Sequence, residues 1–139
     1  MSTHPKATVF ACLLLVWWSA GCTHNGAPAP STATPPIGLT LGSTIYSGGA
    51  IAQSFTVSNS GFVTANLVST SPSPAIVVGL GVGIPLAAGT CSLSSSVNTA
   101  AGPNPQIVVA VDSGSYCVEI FDNGNITSPV SFVINIVHP

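Results

Sequence analysis

From residue 37 to residue 139 the apolar positions come in short runs, and most runs alternate with polar or small residues. Strict alternation sends successive side chains to opposite faces, which is the mark of a half-buried strand. Over residues 50–58, Ile51, Phe55 and Val57 share one face with Gln53. Over 75–84, Ile76, Val78, Leu80, Val82 and Ile84 share a face, and Gly79, Gly81 and Gly83 share the other. Ile107, Val109 and Val111 align, as do Val130, Phe132, Ile134 and Ile136 within 129–137. Over 115–121, Tyr116, Val118 and Ile120 face one way and Cys117, Glu119 and Phe121 the other. Two further strands are expected at 62–69 and 91–97, and a short edge strand at 43–47.

Turn residues separate these runs: Gly48-Gly49, Asn59-Ser60-Gly61, Ser71-Pro72-Ser73-Pro74, Ala87-Ala88-Gly89-Thr90, Gly102-Pro103-Asn104-Pro105, Ser113-Gly114 and Asn123-Gly124. No capped stripe with a period of 3.6 interrupts them. Most gaps are too short for a parallel crossover, which takes a dozen or more residues. The pattern predicts an all-β domain, an antiparallel β-sandwich of seven or eight short strands.

The first 36 residues follow a different pattern. Lys6 gives residues 1–6 a positive charge, and residues 7–18, ATVFACLLLVWW, are almost wholly apolar. Twelve residues are too few to span about 30 Å of hydrocarbon as a helix, and match the apolar core of a signal peptide. Ser19-Ala20-Gly21-Cys22 follows and resembles the bacterial lipobox, with Ser19 where that motif usually has Leu. The resemblance implies cleavage before Cys22, a diacylglyceryl group on its sulfur and acylation of the new amino terminus. The alternatives are an ordinary signal peptide cleaved near Ala20 or Gly21, and an uncleaved anchor. Residues 23–36, THNGAPAPSTATPP, hold four prolines, which exclude helix and central strand. Such a stretch is an extended spacer of roughly 3 Å per residue. The expected organisation is a signal peptide over 1–21, a lipidated Cys22 and Pro-rich tether over 22–36, and a β-sandwich over 37–139.

Charge narrows the function. Lys6, Asp112, Glu119 and Asp122 are the whole charged inventory, 3% of 139 residues, against about 25% in a typical domain. Nucleic-acid binding and phosphate-rich substrates need clustered Lys and Arg, and there are none. Catalysis lacks titratable groups. His138 is the one His after the tether and is read as a chain-end residue, and no Gly-x-Ser-x-Gly elbow occurs. Glu119 and Asp122 are three apart, which puts them on opposite faces of a strand, unlike the facing carboxylates of a glycosidase. The outward positions are filled instead by 16 Ser, 8 Thr and 7 Asn over residues 37–139.

Four cysteines occur, Cys12, Cys22, Cys91 and Cys117. Cys12 leaves with the signal and Cys22 takes the lipid, so an exported domain keeps one pair, expected as a Cys91–Cys117 disulfide on the outer side of the core. Two separate buried thiols are the alternative. Asp122, Asn123 and Asn125 form the best polar cluster, read either as a hairpin turn or as a Ca²⁺ site. No other metal site and no cofactor are expected. Both Trp residues lie in the signal segment. Of the remaining aromatics, Phe55, Tyr116 and Phe132 fall on core faces. Tyr46 and Phe121 stand as candidate ligand contacts, against partial burial at a sheet edge.

Gly114-Ser115-Tyr116-Cys117-Val118-Glu119-Ile120-Phe121-Asp122, the ending Pro129-Val130-Ser131-Phe132-Val133-Ile134-Asn135-Ile136, and the earlier Gly42-Ser43-Thr44-Ile45 and Ala52-Gln53-Ser54-Phe55-Thr56-Val57 occur in the order of a known family. Together they resemble the bacterial pre-peptidase C-terminal domain. That resemblance implies a jelly-roll-like β-sandwich with an accessory or binding role. The family usually accompanies a secreted hydrolase. No hydrolase is expected within these 139 residues, and Cys91 and Cys117 are additions to the pattern. The expected protein is non-enzymatic and exported to a bacterial cell envelope. It would be held to a membrane through its lipid (the outer membrane in a Gram-negative cell), with a structural or recognition role. Its partner would be a protein or a polysaccharide. A carbohydrate-binding accessory module, or a hydrolase-associated domain acting in trans, are the alternatives.

Overall fold

Alternation becomes strand along nearly the whole domain. A computed structural model describes residues 34–139; the expected signal segment, Cys22 and the expected tether up to residue 33 lie outside the described residues. Eight strands follow one another: β1 (Ile37–Ile45), β2 (Ala50–Val57), β3 (Gly61–Ser71), β4 (Val78–Pro85), β5 (Cys91–Thr99), β6 (Ile107–Val111), β7 (Gly114–Phe121) and β8 (Val130–His138). Ala87–Gly89 forms a single 3₁₀ turn between β4 and β5.

The strands form two four-stranded sheets, ordered β1-β8-β3-β6 and β2-β7-β4-β5. All neighbours are antiparallel. The pairing is nested: β4 with β5, β3 with β6, β2 with β7, β1 with β8. The chain is one long hairpin bent at the 3₁₀ turn and then rolled, which brings β8 beside β3 and β7 beside β4. That is the double Greek key of a jelly roll.

The bounds of β1 and β4 differ most from expectation. The first strand spans nine residues from Ile37 rather than five from Ser43. Leu39 and Leu41 continue the alternation, and Thr40 and Thr44 hydrogen-bond Asn135 and Ser131 across β8, at 3.0 Å each. It ends at Ile45, so Tyr46 and Ser47 belong to the turn. The fourth strand starts at Val78 rather than residue 75, because Ser73 holds the chain in a turn. Its carbonyl accepts from Ile76 N–H at 3.4 Å and its Oγ from Ala75 N–H at 3.3 Å. The register between β4 and β5 shifts between Val82 and Gly83, with Ser94 of β5 as the extra residue, and Ile84, expected on a core face, is exposed at the end of β4.

The inner faces meet in one core. Val63, Ala65, Leu67, Ile134 and Ile136 of the first sheet, and Val78, Leu80, Val118 and Ile120 of the second, are fully buried. Burying such a Val, Leu or Ile is worth about 1.5–3 kcal/mol, and no ion pair is needed. His138, read from the sequence as a chain-end residue, is packed inward. Being in register with the core residues of β8, it is buried, and its ring stacks on Phe55 of the opposite sheet at 5.1 Å, with Tyr116 beyond at 6.2 Å from Phe55.

The outer face of β4 is a trough. Gly79, Gly81 and Gly83 have no side chains to fill it, yet all three are buried. A Cβ on Gly79 would strike the Phe121 ring, and one on Gly81 would lie 2.6 Å from Leu93 Cδ1. One on Gly83 would strike the backbone of Ser92 and Leu93. Phe121 from β7 and the start of β5 therefore lie across the glycines and form a thin second layer outside the sheet.

Candidate functional site

Asp122 follows β7 directly and sits where two connections meet. Its Oδ2 accepts from Gly48 N–H at 2.8 Å, in the β1–β2 turn. Its Oδ1 accepts from Gly124 N–H at 2.8 Å, Asn125 N–H at 3.0 Å and Ile126 N–H at 3.1 Å. Asp122 N–H in turn donates to Gly49 C=O at 2.9 Å. Gly48 and Gly124 have φ values of +69° and +92°, which glycine adopts without strain. The N–H of Gly48, before those of Ile126, Gly124 and Asn125, holds the carboxyl below its ordinary value.

Asn123 and Asn125 complete the cluster by bonding each other, Nδ2 of Asn125 donating to Oδ1 of Asn123 at 2.8 Å. A Ca²⁺ ion takes six to eight oxygen ligands. Here the Asp122 oxygens face the positive ends of four N–H dipoles, and Asn123 Oδ1 is engaged. As placed, the cluster staples two turns. Among the described residues no group of three or more His, Cys, Asp or Glu converges as metal ligands do.

The Cys91–Cys117 disulfide is formed, with Cα atoms 6.0 Å apart. It joins β5 to β7 although β4 lies between them, because the start of β5 folds over Gly83. Cys117 is buried, but it lies beside Gly83 on the face of β7 opposite that of the core residues Val118 and Ile120, so the bridge is on the outer side of the sheet.

The two candidate aromatic contacts separate. Tyr46 is exposed on the β1–β2 turn. Phe121 is half-buried with its ring over Gly79. Among the described residues the most exposed aromatic is Phe62 on β3, at 66%, which the sequence reading did not single out. The signal was present: Phe62 is in phase with Thr64 and Asn66, and out of phase with Val63, Ala65 and Leu67.

Phe62 flanks an open depression of about 430 Å³, lined also by Ser60, Gly61, Ala110, Val111 and Asp112. Asp112 Oδ1 accepts from Ser60 Oγ at 3.0 Å, and its carbonyl accepts from Tyr116 OH at 3.1 Å. A smaller hollow of about 180 Å³ lies between Pro72 and Ile76 on one side and residues 125–128 and Val130 on the other. Cys22, the lipidation candidate, falls outside the described residues. The sequence matches no family model, and no curated protein matches it.

Proposed function

We propose that this is a non-enzymatic β-sandwich module of the bacterial cell envelope, exported, lipid-anchored through Cys22 and serving recognition or structural assembly. In this reading the module is similar to the pre-peptidase C-terminal domains in the role it plays, binding rather than catalysis. The observation that carries it is the outer face of the β1-β8-β3-β6 sheet. Cross-strand pairs Thr40–Asn135, Thr44–Ser131 and Asn66–Asn135 make it polar and uncharged, and at one corner it ends in Phe62, Val108, Ala110 and Val137. A wide uncharged face with an apolar corner suits contact with another macromolecule. Among the described residues the only His is buried against Phe55.

The test is made in intact cells. A photo-crosslinking amino acid at position 62 should capture an envelope component, and the same probe at Ser94 should not. Equal capture at both positions, or at neither, rejects a binding role for this face. Cys22→Ala should abolish fatty-acid labelling and release the protein from the membrane fraction. Labelling that survives in Cys22→Ala rejects the anchor.

A second reading, polysaccharide binding, is favoured by one observation: Phe62 stands beside the Ser60–Asp112 pair at the open depression. An aromatic face next to hydrogen-bonding groups suits a sugar ring. Phe62→Ala should then weaken binding to cell-wall polysaccharide about tenfold, the scale of losing one buried aromatic contact. An unchanged affinity rejects this reading.

A further inference from the structure

Each sheet has two edges, and the four edge strands differ in kind. β1 carries Thr40, Ser43 and Thr44, β2 carries Gln53, Ser54 and Thr56, and β5 carries four Ser and one Asn. β6 reads Ile-Val-Val-Ala-Val. It is the one wholly apolar edge, pairs only with β3, and leaves Val108 59% exposed and Ala110 exposed beside Phe62. Proteins usually blunt such an edge with Lys, an inward charge or a covering segment. No Lys or Arg follows residue 6, so the commonest device is missing.

We propose that β6 pairs with β6 of a second copy of this chain, antiparallel about Val109, joining two four-stranded sheets into one of eight. The inference goes beyond the recognition reading and does not depend on it. A second copy is the occupant because the strand is complementary to itself. A two-fold axis at Val109 sets Ile107 opposite Val111 and Val108 opposite Ala110, so every facing pair is apolar. The same register sets Asp112 opposite Gln106 rather than opposite another Asp112, so no like charges meet. Pro103 and Pro105 lack N–H donors and end the ladder on one side, which leaves the short stretch around Val109 as the paired segment. On the outer face the axis brings together two Phe62–Val108–Ala110 corners and shields part of them from water. An interface this short falls at the weak end of the protein–protein range, so the dimer forms at micromolar rather than nanomolar concentration.

The register gives the test. The full exported chain, solubilised in mild detergent, is followed by analytical ultracentrifugation over a range of micromolar concentrations. The wild type should move from monomer to dimer. Val108→Lys/Ala110→Lys sets like charges opposite each other twice and should weaken the dimer about tenfold or more. Val108→Lys/Ala110→Glu sets opposite charges at the same two places and should restore it. Both variants change outward-facing residues, and their circular dichroism melts should match the wild type, which separates lost pairing from lost fold. A monomeric wild type at all concentrations overturns the proposal. A dimer that survives Val108→Lys/Ala110→Lys places the interface elsewhere and overturns it too. Failure of Val108→Lys/Ala110→Glu to restore the dimer overturns the register, and the proposal with it.

Discussion

Asp122 shows how one carboxylate holds a domain with almost no charge. Its four N–H partners come from both the β1–β2 turn and the β7–β8 connection, and they favour the ionised form. A pKa below the ordinary 3.8 in the folded state fixes the sign of the pH dependence. The contribution to stability is present above the ordinary carboxylate range and is lost as the pH falls through the folded value. Asp122→Asn keeps the shape but loses the charge, and turns a donor or a weaker acceptor toward the same N–H groups. The melting temperature of Asp122→Asn should lie below the wild type at neutral pH, and the two curves should converge in acid. A gap of constant size from neutral down to about pH 2 would show that the charge is not what matters. Millimolar Ca²⁺ should leave the wild-type melting temperature unchanged, since a bound ion would raise it. The Asp-Asn-Gly-Asn run reads in the sequence as a hairpin turn or a Ca²⁺ site; it is instead a connection between the two sheets, since β7 and β8 do not pair. The partner Gly48 could not be read there, because it lies 74 positions away and nothing local specifies the meeting of two turns. Phe62 is the opposite case. Its phase is local and legible, but which aromatic ends up most exposed depends on the corner where β3 meets β6.

Most strands were legible because they are short period-two runs separated by Gly, Pro or Asn, and the disulfide because Cys91 and Cys117 are the two cysteines of residues 37–139. Less legible were places where one element does the work of another. Gln106 precedes β6, yet its side chain acts as a strand partner to β3. Its Oε1 accepts from Leu67 N–H at 2.7 Å, and its Nε2 lies 3.5 Å from Leu67 C=O. Gln106→Ala leaves a part-buried N–H with no acceptor and should cost about 1–3 kcal/mol by urea denaturation. Gln106→Glu keeps the acceptor and should cost less. An equal loss in both variants would mean that Leu67 N–H is not the cause. The glycines of β4 were also half legible: the sequence placed them on one face, but not what covers that face. At Gly81 the neighbour is a Leu93 side chain, which can rotate, and at Gly83 it is β5 backbone, which cannot. Gly83→Ala should therefore destabilise more than Gly81→Ala, with overpacking of this kind costing about 1–3 kcal/mol. The reverse order in urea midpoints would mean that β5 does not lie across Gly83 as tightly as the geometry requires.

At the scale of the whole molecule, the nested hairpin determines what the disulfide does. The chain between Cys91 and Cys117 contains β5, β6 and the start of β7, so the bridge closes the return limb of the roll. It also fixes β5, an edge strand that otherwise rests on β4 alone. A closed loop with a sequence separation of 26 stabilises by about 3.5 kcal/mol in the chain-entropy model. That is a large part of the roughly 5–15 kcal/mol that holds a domain together, and no salt bridge among the described residues adds to it. For a domain of this size each kcal/mol moves the melting temperature by about 4–8 °C, so reduction should lower it by roughly 14–28 °C. The fold should survive, because the bridge lies outside the core cluster and Leu80, Val118, Ile120 and Ile134 stay packed without it. The first region to loosen on reduction should be the start of β5 over Gly83. Hydrogen exchange with and without reductant checks this directly: amides of residues 91–95 should lose protection before those of β3 and β8. Uniform loss across both sheets would mean that the bridge supports the whole sandwich rather than one edge of it.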